Sequence, residues 1–269
     1  AMQISEDWML IHDDWEDGSL ERRGKSTLHR LYSPELSVNA GDALHIMMWK
    51  IIYDNINLLG KETTDRLINE FYQMLTRAAL GQTVEIKWTQ DNKLDLTDEE
   101  WFFIADGKTS YYTIAGPLRL GAIIAGATDS QLNLLFEFGN YLGRCFQIVD
   151  DILDITSDFR GLKKQVGNDI YEGKRTIILA HLLRKISFID KKRLKEILAK
   201  TRDKKTEEEV MWVIDRMNYY GSIKYAQNIA RKLADLSNKF FEKKLKFLSH
   251  EPARSQLKAG IDFILQRDF

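Results

Sequence analysis

The sequence predicts an all-α protein, and three observations indicate this fold class. Glycine and proline are scarce, with 16 and 3 residues in a chain of 269, so long stretches lack the residues that commonly interrupt helices. Within these stretches, apolar residues recur at spacings of three and four positions. No segment combines the alternating pattern of a half-buried strand with an Asn-Gly or Asp-Gly turn.

The predicted helices follow one another without a marked boundary. They cover residues 4–17, 96–127, 129–158, 224–248 and 253–267, and the last two are amphipathic with basic outer faces. Thr97 is the expected N-cap of the second of these segments, and Asp129 or Ser130 that of the third. Because no Pro/Ser-rich linker separates them, we predict a single domain over residues 1–269.

Composition narrows the function classes. The chain has 39 basic and 40 acidic residues, a net charge of −1, and so lacks the basic excess typical of proteins that bind nucleic acid. Its one cysteine, Cys145, cannot form an internal disulfide; we interpret it as a core residue and predict a cytoplasmic protein. The longest apolar stretch, residues 120–127, is too short to span a membrane.

Two acidic clusters stand out on strongly apolar helical segments. Asp13, Asp14 and Asp17 occupy positions i, i+1 and i+4, where the outer two differ by only ~40° around a helix. The same spacing recurs at Asp150, Asp151 and Asp154. Buried carboxylates are costly unless they are paired or bind a metal, and oxygen-only sites favour Mg²⁺. Two facing clusters therefore predict several Mg²⁺ ions around a polyphosphate, although one such motif alone is as often a solvated helix face.

Basic residues follow each cluster. Arg22 and Arg23 come shortly after Asp17 in a Gly/Ser-containing loop, where guanidinium groups can clamp diphosphate oxygens. Lys164 and Lys174 follow the second cluster in a glycine-containing loop and are the expected phosphate contacts there. Lys108 lies in an otherwise apolar helical segment, so we expect it to have an anionic partner.

Together these residues resemble the trans-isoprenyl diphosphate synthases, also called polyprenyl synthetases. The resemblance rests on motifs in a fixed order: DDWED (13–17) with RRG (22–24), an AGDAL helix start (40–44), GQ (81–82), GKT (107–109), FQIVDDILD (146–154) and VGNDIYEGKRT (166–176). It implies the isoprenoid synthase fold, with antiparallel helices around a central cavity. The implied reaction is head-to-tail transfer of the prenyl group of an allylic diphosphate onto isopentenyl diphosphate, with loss of diphosphate and a proton, giving a short-chain product such as C15 or C20.

The resemblance also implies roles for individual residues. The six aspartates would surround about three Mg²⁺ ions. The allylic diphosphate would be held by Arg22, Lys108, Lys164 and Lys174, and isopentenyl diphosphate by Arg23. Lys108, Thr109 and Gln147 would offer dipoles to the carbocation. Trp8 and Met9, just before the first aspartate, would limit product length, and a homodimer is expected.

Two features depart from the family pattern. The helices that usually precede DDxxD, with Lys and Arg residues for isopentenyl diphosphate, are expected upstream of Ala1. Glu6 stands where the family commonly has His or Gln, and we expect an upstream Lys or Arg to pair with it. Two alternatives remain open: a class I terpene cyclase, which usually has a different second motif, and a non-catalytic subunit or fragment of a synthase.

Overall fold

The predicted all-α fold is confirmed. A computed structural model describes residues 1–156 and 166–265, and helices make up most of this part of the chain. The α-helices are Met2–Glu16 (α1), Leu28–Leu31 (α2), Pro34–Asp54 (α3), Ile56–Leu59 (α4), Lys61–Gln90 (α5), Asp98–Ala105 (α6), Gly116–Ile124 (α7), Asp129–Thr156 (α8), Asn168–Glu172 (α9), Ile177–Lys185 (α10), Phe188–Leu198 (α11), Glu207–Tyr219 (α12), Ser222–Lys244 (α13) and Ala253–Leu265 (α14).

Two further helical segments have other hydrogen-bonding patterns. Residues Asp106–Ala115 form a π-helix that joins α6 to α7 without a break, and Arg202–Lys204 form a short 3-10 helix. The sequence predicts the continuous helical segment at 96–127 but not its π-helical middle. A π-helix widens the helix locally, and such segments are frequent at functional sites.

The long helix α8 lies at the centre of the packing. It contacts the π-helix on one side and α13 on another, while α1 packs against α3 and α5 packs against the π-helix. Its buried residues occur on several faces and include Leu135, Phe138 and Ile148. A single hydrophobic cluster extends from Met48 in α3 to Ile264 in α14. These contacts leave a cavity between α1, α5, α6, the π-helix, α8 and α9.

The expected loop after α1 contains a short hairpin. Strand β1 (Glu21–Arg22) pairs with the antiparallel strand β2 (Lys25–Ser26). The two turn residues, Arg23 and Gly24, have φ angles of 53° and 74°, the left-handed conformation that a tight hairpin turn requires. Strands of two residues are too short to show an alternating pattern, which explains why the sequence does not reveal them.

Helix starts agree only partly with the sequence. Thr97 caps α6 as predicted, and Glu100 completes a capping box with it. The AGDAL segment at 40–44 does not begin a helix, so this expectation is wrong. Helix α3 starts earlier, at Pro34, with the Ser33 side chain as its cap. Serine at the N-cap followed by proline at the first helical position is a strong local start signal.

The predicted cap of α8 is also wrong. Neither Asp129 nor Ser130 caps this helix; the Thr128 hydroxyl accepts a hydrogen bond from the Gln131 amide at 3.3 Å. In return, the Gln131 side chain accepts one from the Thr128 amide at 2.9 Å. Thr128 and Gln131 have the spacing of a capping box, in which both groups satisfy otherwise unpaired helix-end amides.

The structure bears on two features interpreted from composition, the cysteine and the apolar content of the helices. Cys145 is fully buried in α8, in agreement with its interpretation as a core residue, and burial raises the pKa of its thiol to about 12. In residues 1–156 and 166–265, each helix is too short or too polar to cross a bilayer.

Candidate active site

Both acidic clusters reach the same cavity. Its volume is about 540 Å³, and it is lined by Asp13 from α1 and by Asp150 and Asp151 from α8. The sequence predicts facing clusters, and the structure brings these three carboxylates to one space. The remaining aspartates of the two clusters, Asp14, Asp17 and Asp154, lie beside it and contact neighbouring side chains or backbone.

The first cluster is held by cations. Asp14 is 5% exposed, and both its carboxylate oxygens accept hydrogen bonds from Arg22 Nε at 2.9 Å. A terminal nitrogen of Arg22 also reaches Asp13 Oδ2 at 3.4 Å. The β1–β2 hairpin places Arg22 over the end of α1, so its guanidinium neutralises two of the three aspartates.

Lys108 pairs with anions across the cavity, as its apolar surroundings predict. Its ammonium lies 3.1 Å from Asp13 Oδ1 and 2.7 Å from Glu85 Oε2 on α5. Two glycines allow this approach: a Cβ on Gly81 would lie 3.0 Å from the Lys108 amide nitrogen, and one on Gly107 would lie 2.8 Å from a backbone oxygen of α5. The GQ and GKT motifs thus bring α5 and the π-helix together at Lys108.

Lys174 completes the first cluster from the opposite wall. Its ammonium lies 2.9 Å from Asp17 Oδ2, 2.8 Å from Glu172 Oε2 and 3.9 Å from Asp169 Oδ1. These three carboxylates raise the pKa of Lys174 even though burial opposes the charged form. Lys174 is therefore a permanent cation at the edge of the cavity.

The second cluster has different contacts. Asp151 is 4% exposed, and its Oδ1 accepts a hydrogen bond from Gln147 Nε2 at 2.7 Å. Its Oδ2 is buried and has no hydrogen-bond partner among the residues that the structure describes. Asp154 Oδ2 accepts a hydrogen bond from the backbone amide of Asp169 at 3.0 Å. The Thr109 hydroxyl donates to Gln147 Oε1 at 2.6 Å, so Gln147 links Asp151 to the π-helix.

Asp13 and Asp151, the cavity-lining members of the two clusters with shifted pKa values, differ in the direction of the shift. Burial works to raise the pKa of Asp13, but Lys108 and Lys174 outweigh it, and the pKa of Asp13 is lowered. Burial raises the pKa of Asp151 well above its ordinary value, and the negative charge of Asp150 adds to this effect. Asp13 is thus already neutralised by protein cations, whereas Asp151 favours an additional cation.

The donor set fits a hard divalent cation. Carboxylate oxygens are the ligands that Mg²⁺ prefers, and the unpartnered Asp151 Oδ2 is a buried acceptor beside the cavity. Among residues 1–156 and 166–265, no three acidic, histidine or cysteine side chains lie close enough together to hold a metal ion as they stand. Mg²⁺ typically completes its shell with water and substrate phosphates, so the protein does not need to supply a closed cage.

Some predicted site residues lie away from the cavity. Trp8 and Met9 are not among the described residues that line it. The Trp8 indole packs instead on His45, with ring centroids 4.6 Å apart, and on His12. His12 Nε2 lies 3.1 Å from the carbonyl oxygen of Val38. Lys164 lies outside the described residues.

Glu6 has a basic partner within the described residues. Glu6 Oε1 lies 3.1 Å from a terminal nitrogen of Arg23, further along the chain; a partner upstream of Ala1 stays a prediction. Both side chains are substantially exposed, at 42% and 70%. The hairpin turn directs Arg23 toward the middle of α1 while Arg22 points to its end, a geometry that the sequence does not reveal.

Four residues that sequence reasoning missed belong to the site. Glu85 pairs with Lys108, Asp169 and Glu172 face Lys174, and Arg202 donates to Glu172 Oε1 at 2.9 Å. Asp169 and Glu172 lie within the motif at 166–176, where only Lys174 was singled out. Glu85 and Arg202 lie far from either cluster in the sequence, and no local pattern identifies them.

One part of the cavity wall is apolar. It is lined by Leu10, Trp101, Ile104, Ala105 and Phe146. Trp101, Ile104, Ala105 and Lys108 follow one another at helical spacing, so a single face runs from the charged region along α6. The cavity therefore combines a strongly charged region with a surface suited to a hydrocarbon chain.

The sequence is similar to those of known prenyl diphosphate synthases. A family model described as polyprenyl synthetase matches residues 1–217. The chain is 33% identical over 259 residues to a geranylgeranyl diphosphate synthase of Saccharolobus solfataricus, covering 93% of this chain and 76% of the relative. It is 30% identical over 268 residues to a short chain isoprenyl diphosphate synthase of Methanothermobacter thermautotrophicus, covering 100% and 78%.

Solved structures give the same match. Geranylgeranyl pyrophosphate synthetase from Pyrococcus horikoshii superposes with a TM-score of 0.84 at 30% identity, covering 99% of this chain and 78% of that one. A geranylgeranyl pyrophosphate synthase from Corynebacterium glutamicum, solved with isoprenyl diphosphate and magnesium, gives a TM-score of 0.89 at 25% identity, covering 99% and 77%.

Proposed function

Because the chain belongs to the polyprenyl synthetase family, we propose that the cavity is the active site of a short-chain isoprenyl diphosphate synthase. The protein has the isoprenoid synthase fold and is a trans-prenyltransferase that adds isopentenyl diphosphate head to tail to an allylic diphosphate. The observation that carries the assignment of the site is the meeting of both acidic clusters at one cavity, with Lys108 and Lys174 at its edge.

Ionisation of the allylic diphosphate requires positive charge around the leaving group. Arg22, Lys108 and Lys174 supply fixed charge from three different elements, and groups that are already oriented stabilise developing charge without reorganisation. The carboxylates of Asp13, Asp14, Asp17, Asp150, Asp151 and Asp154 would hold Mg²⁺. When bound, the metal counters the negative charge of the diphosphate.

The carbocation left after ionisation must meet the second substrate before water. The apolar wall of Trp101, Ile104 and Phe146 excludes water from the hydrocarbon part of the cavity. Thr109 and Gln147 lie together at the cavity wall, where their oxygens can face the positive carbon. The hydrogen bond from Gln147 to Asp151 ties the orientation of the amide to the state of the second cluster.

Isopentenyl diphosphate is proposed to bind near Arg23. This arginine is exposed beside α1, where it pairs with the Glu6 carboxylate. The diphosphate would compete with Glu6 for the guanidinium. Lys164, in the part of the chain that the structure does not describe, remains a proposed phosphate contact.

Product length and assembly are further proposals. Trp8 and Met9 lie on α1 one turn or more before Asp13, and we propose that they limit elongation through the packing of that helix. Trp8→Ala should lengthen the product, as measured by chromatography of the dephosphorylated prenols; an unchanged length would remove Trp8 from this role. A homodimer and a cytoplasmic location also remain predictions.

One incubation tests the proposed reaction. The protein is supplied with Mg²⁺, an allylic diphosphate and labelled isopentenyl diphosphate, and the products are separated. A longer prenyl diphosphate, lost on addition of a chelator, supports the proposal. A hydrocarbon or alcohol from the allylic substrate alone would indicate a terpene cyclase, and no product would indicate a non-catalytic subunit or fragment.

A further inference from the structure

Glu172 lies at the centre of a buried network beside the cavity. Its side chain is 1% exposed, although the residue ends the short helix α9. The two carboxylate oxygens have different partners. Oε1 accepts hydrogen bonds from Ser19, Asn168 and Arg202 at 3.0, 2.7 and 2.9 Å, whereas Oε2 faces the Lys174 ammonium at 2.8 Å.

The donors on Oε1 come from three parts of the chain. Ser19 follows the first acidic cluster, Asn168 opens α9, and Arg202 belongs to the 3-10 helix. Arg202 also donates to Asn168 Oδ1 at 2.6 Å, so its guanidinium holds both ends of α9. One oxygen of Glu172 is thus used entirely for anchoring, which leaves the other aimed at a single ammonium.

The turn that joins Glu172 to Lys174 is also fixed. Gly173 has a φ of 79°, and a Cβ there would lie 3.2 Å from Thr89 and 3.4 Å from Lys205. Its carbonyl oxygen accepts hydrogen bonds from Arg175 and, at 3.1 Å, from the Thr89 hydroxyl. The backbone between the carboxylate and the ammonium therefore has little freedom to change their separation.

The other two carboxylates near Lys174, those of Asp17 and Asp169, differ from Glu172 in how they are held. Asp17 belongs to the first acidic cluster and Asp169 lines the cavity, so both are exposed to competition from any cation that binds there. Glu172 also lines the cavity, but its Oε1 is held by hydrogen bonds from Ser19 and Arg202, an anchoring that the described residues do not give to the carboxylates of Asp17 and Asp169 that face Lys174.

We propose that Glu172 is a positioning residue that keeps the Lys174 ammonium directed at the diphosphate when metal and substrate occupy the cavity. Without the Glu172 carboxylate, the position of the Lys174 ammonium would be set by Asp17 and Asp169 alone, and it would shift whenever those carboxylates bind another cation. The inference rests on the proposed function, since it assigns to Lys174 a diphosphate as ligand.

A double-mutant cycle of E172Q and K174Q tests the proposal. Glutamine retains a side-chain acceptor for Ser19, Asn168 and Arg202 but removes the charge that holds Lys174. We expect E172Q to lower kcat about tenfold or more in the native background and less than about twofold in the K174Q background, because coupled neighbours are strongly non-additive. Equal fold-losses in both backgrounds would overturn the proposal.

A second double-mutant cycle uses the same variants but measures binding instead of catalysis. The measured quantity is the affinity for inorganic pyrophosphate in the presence of Mg²⁺, determined by calorimetry. A positioning role predicts weaker binding in E172Q than in the wild type, by about threefold to tenfold, and no further weakening when E172Q is added to K174Q. A purely electrostatic role predicts the opposite sign, because removal of a negative charge favours an anion. Tighter binding or additive losses would overturn the proposal.

Two controls separate this inference from folding and from the proposed function. Glu242 is a matched control, because it also pairs with one arginine and one lysine, Arg254 and Lys258, but lies away from the cavity. E242Q should leave both kcat and pyrophosphate affinity unchanged. R202K, which loosens the anchor without touching Lys174, should act in the direction of E172Q if the latter is too unstable to assay. A wild-type protein without prenyl transfer would refute the proposed function, whereas the pyrophosphate cycle would still decide the role of Glu172.

Discussion

The two acidic clusters share their spacing but differ in what surrounds them. In the first, Asp13 and Asp14 are paired with Lys108 and Arg22. In the second, one oxygen of Asp151 accepts from a neutral amide, and the other is buried with no hydrogen-bond partner in the described part of the chain. Spacing along a helix places carboxylates on one face, but elements distant in sequence determine whether those carboxylates are already neutralised. Of Asp13 and Asp151, we therefore expect Asp151 to have the stronger demand for an external cation.

The largest expected effect tests whether both clusters serve the same reaction. Asp13→Ala and Asp151→Ala should each lower kcat about 10²- to 10³-fold, because each removes charge or metal binding from the same transition state. Steady-state kinetics with saturating substrates measures the loss. Asp65→Ala, which breaks an exposed i,i+4 pair with Lys61, is the control. A near-native rate for either active-site variant would separate its cluster from the chemistry.

A second prediction concerns stability without metal. Asp13→Asn should destabilise the protein by about 2–3 kcal/mol, because it leaves Lys108 with one partner fewer in a buried place. Asp151→Asn should instead stabilise it by about 1 kcal/mol, since the buried charge is removed while Gln147 keeps an acceptor. Urea denaturation in the presence of a chelator measures both, and shifts of the same sign would contradict the contrast between the clusters.

A pH titration sharpens the comparison within the first cluster. Burial raises the pKa of Asp17 to about 6, although Lys174 opposes the shift. Because the folded state binds the proton more tightly than the unfolded state, this contribution is complete below pH ~4 and is lost as the pH rises through ~6. Relative to Asp17→Asn, metal-free wild-type protein should lose up to about 1.4 kcal/mol per pH unit in this window.

The measurement is chemical denaturation of both proteins at matched pH values with chelator present. Parallel stability curves for wild type and Asp17→Asn between pH 4 and 6 would contradict the raised pKa. Asp65→Asn provides the exposed control, and its curve should follow that of the wild type.

The smallest expected effect concerns the second arginine of the hairpin. The Glu6–Arg23 pair is exposed, and such pairs contribute only about 0–1 kcal/mol. Glu6→Gln should therefore lower KM for isopentenyl diphosphate by less than about fivefold, through release of Arg23, with kcat unchanged. An unchanged KM would remove Glu6 as a competitor, and an increased KM would indicate that Glu6 orients Arg23 for binding.

How far the sequence predicts the site depends on where each partner lies. The aspartates, Lys108 and Lys174 occur in recognisable local patterns, and the structure places their side chains around one cavity. Glu85 and Arg202 have no such pattern, because each contributes through one contact across a large sequence separation. Tertiary ion pairs of this kind cannot be read from helical periodicity.

The fold shows the same division. Long helices and the capping box at Thr97 follow from local signals, and both are present. The cap at Thr128 was available in the sequence, since Gln131 completes the capping-box spacing, but the acidic and hydroxyl residues that follow are equally common caps. The β1–β2 hairpin and the π-helix depend on backbone geometry that short patterns do not encode.

The π-helix at Asp106–Ala115 has a consequence for how this chain can vary in length. A wider turn holds more residues than an ordinary one, so removing one residue between Asp106 and Ala115 would allow a regular helix to form. Residues within this segment would then take new angular positions around the helix axis, and Tyr111 and Tyr112 would leave their buried places. Single-residue deletions in this segment should be tolerated far less well than conservative replacements at the same positions.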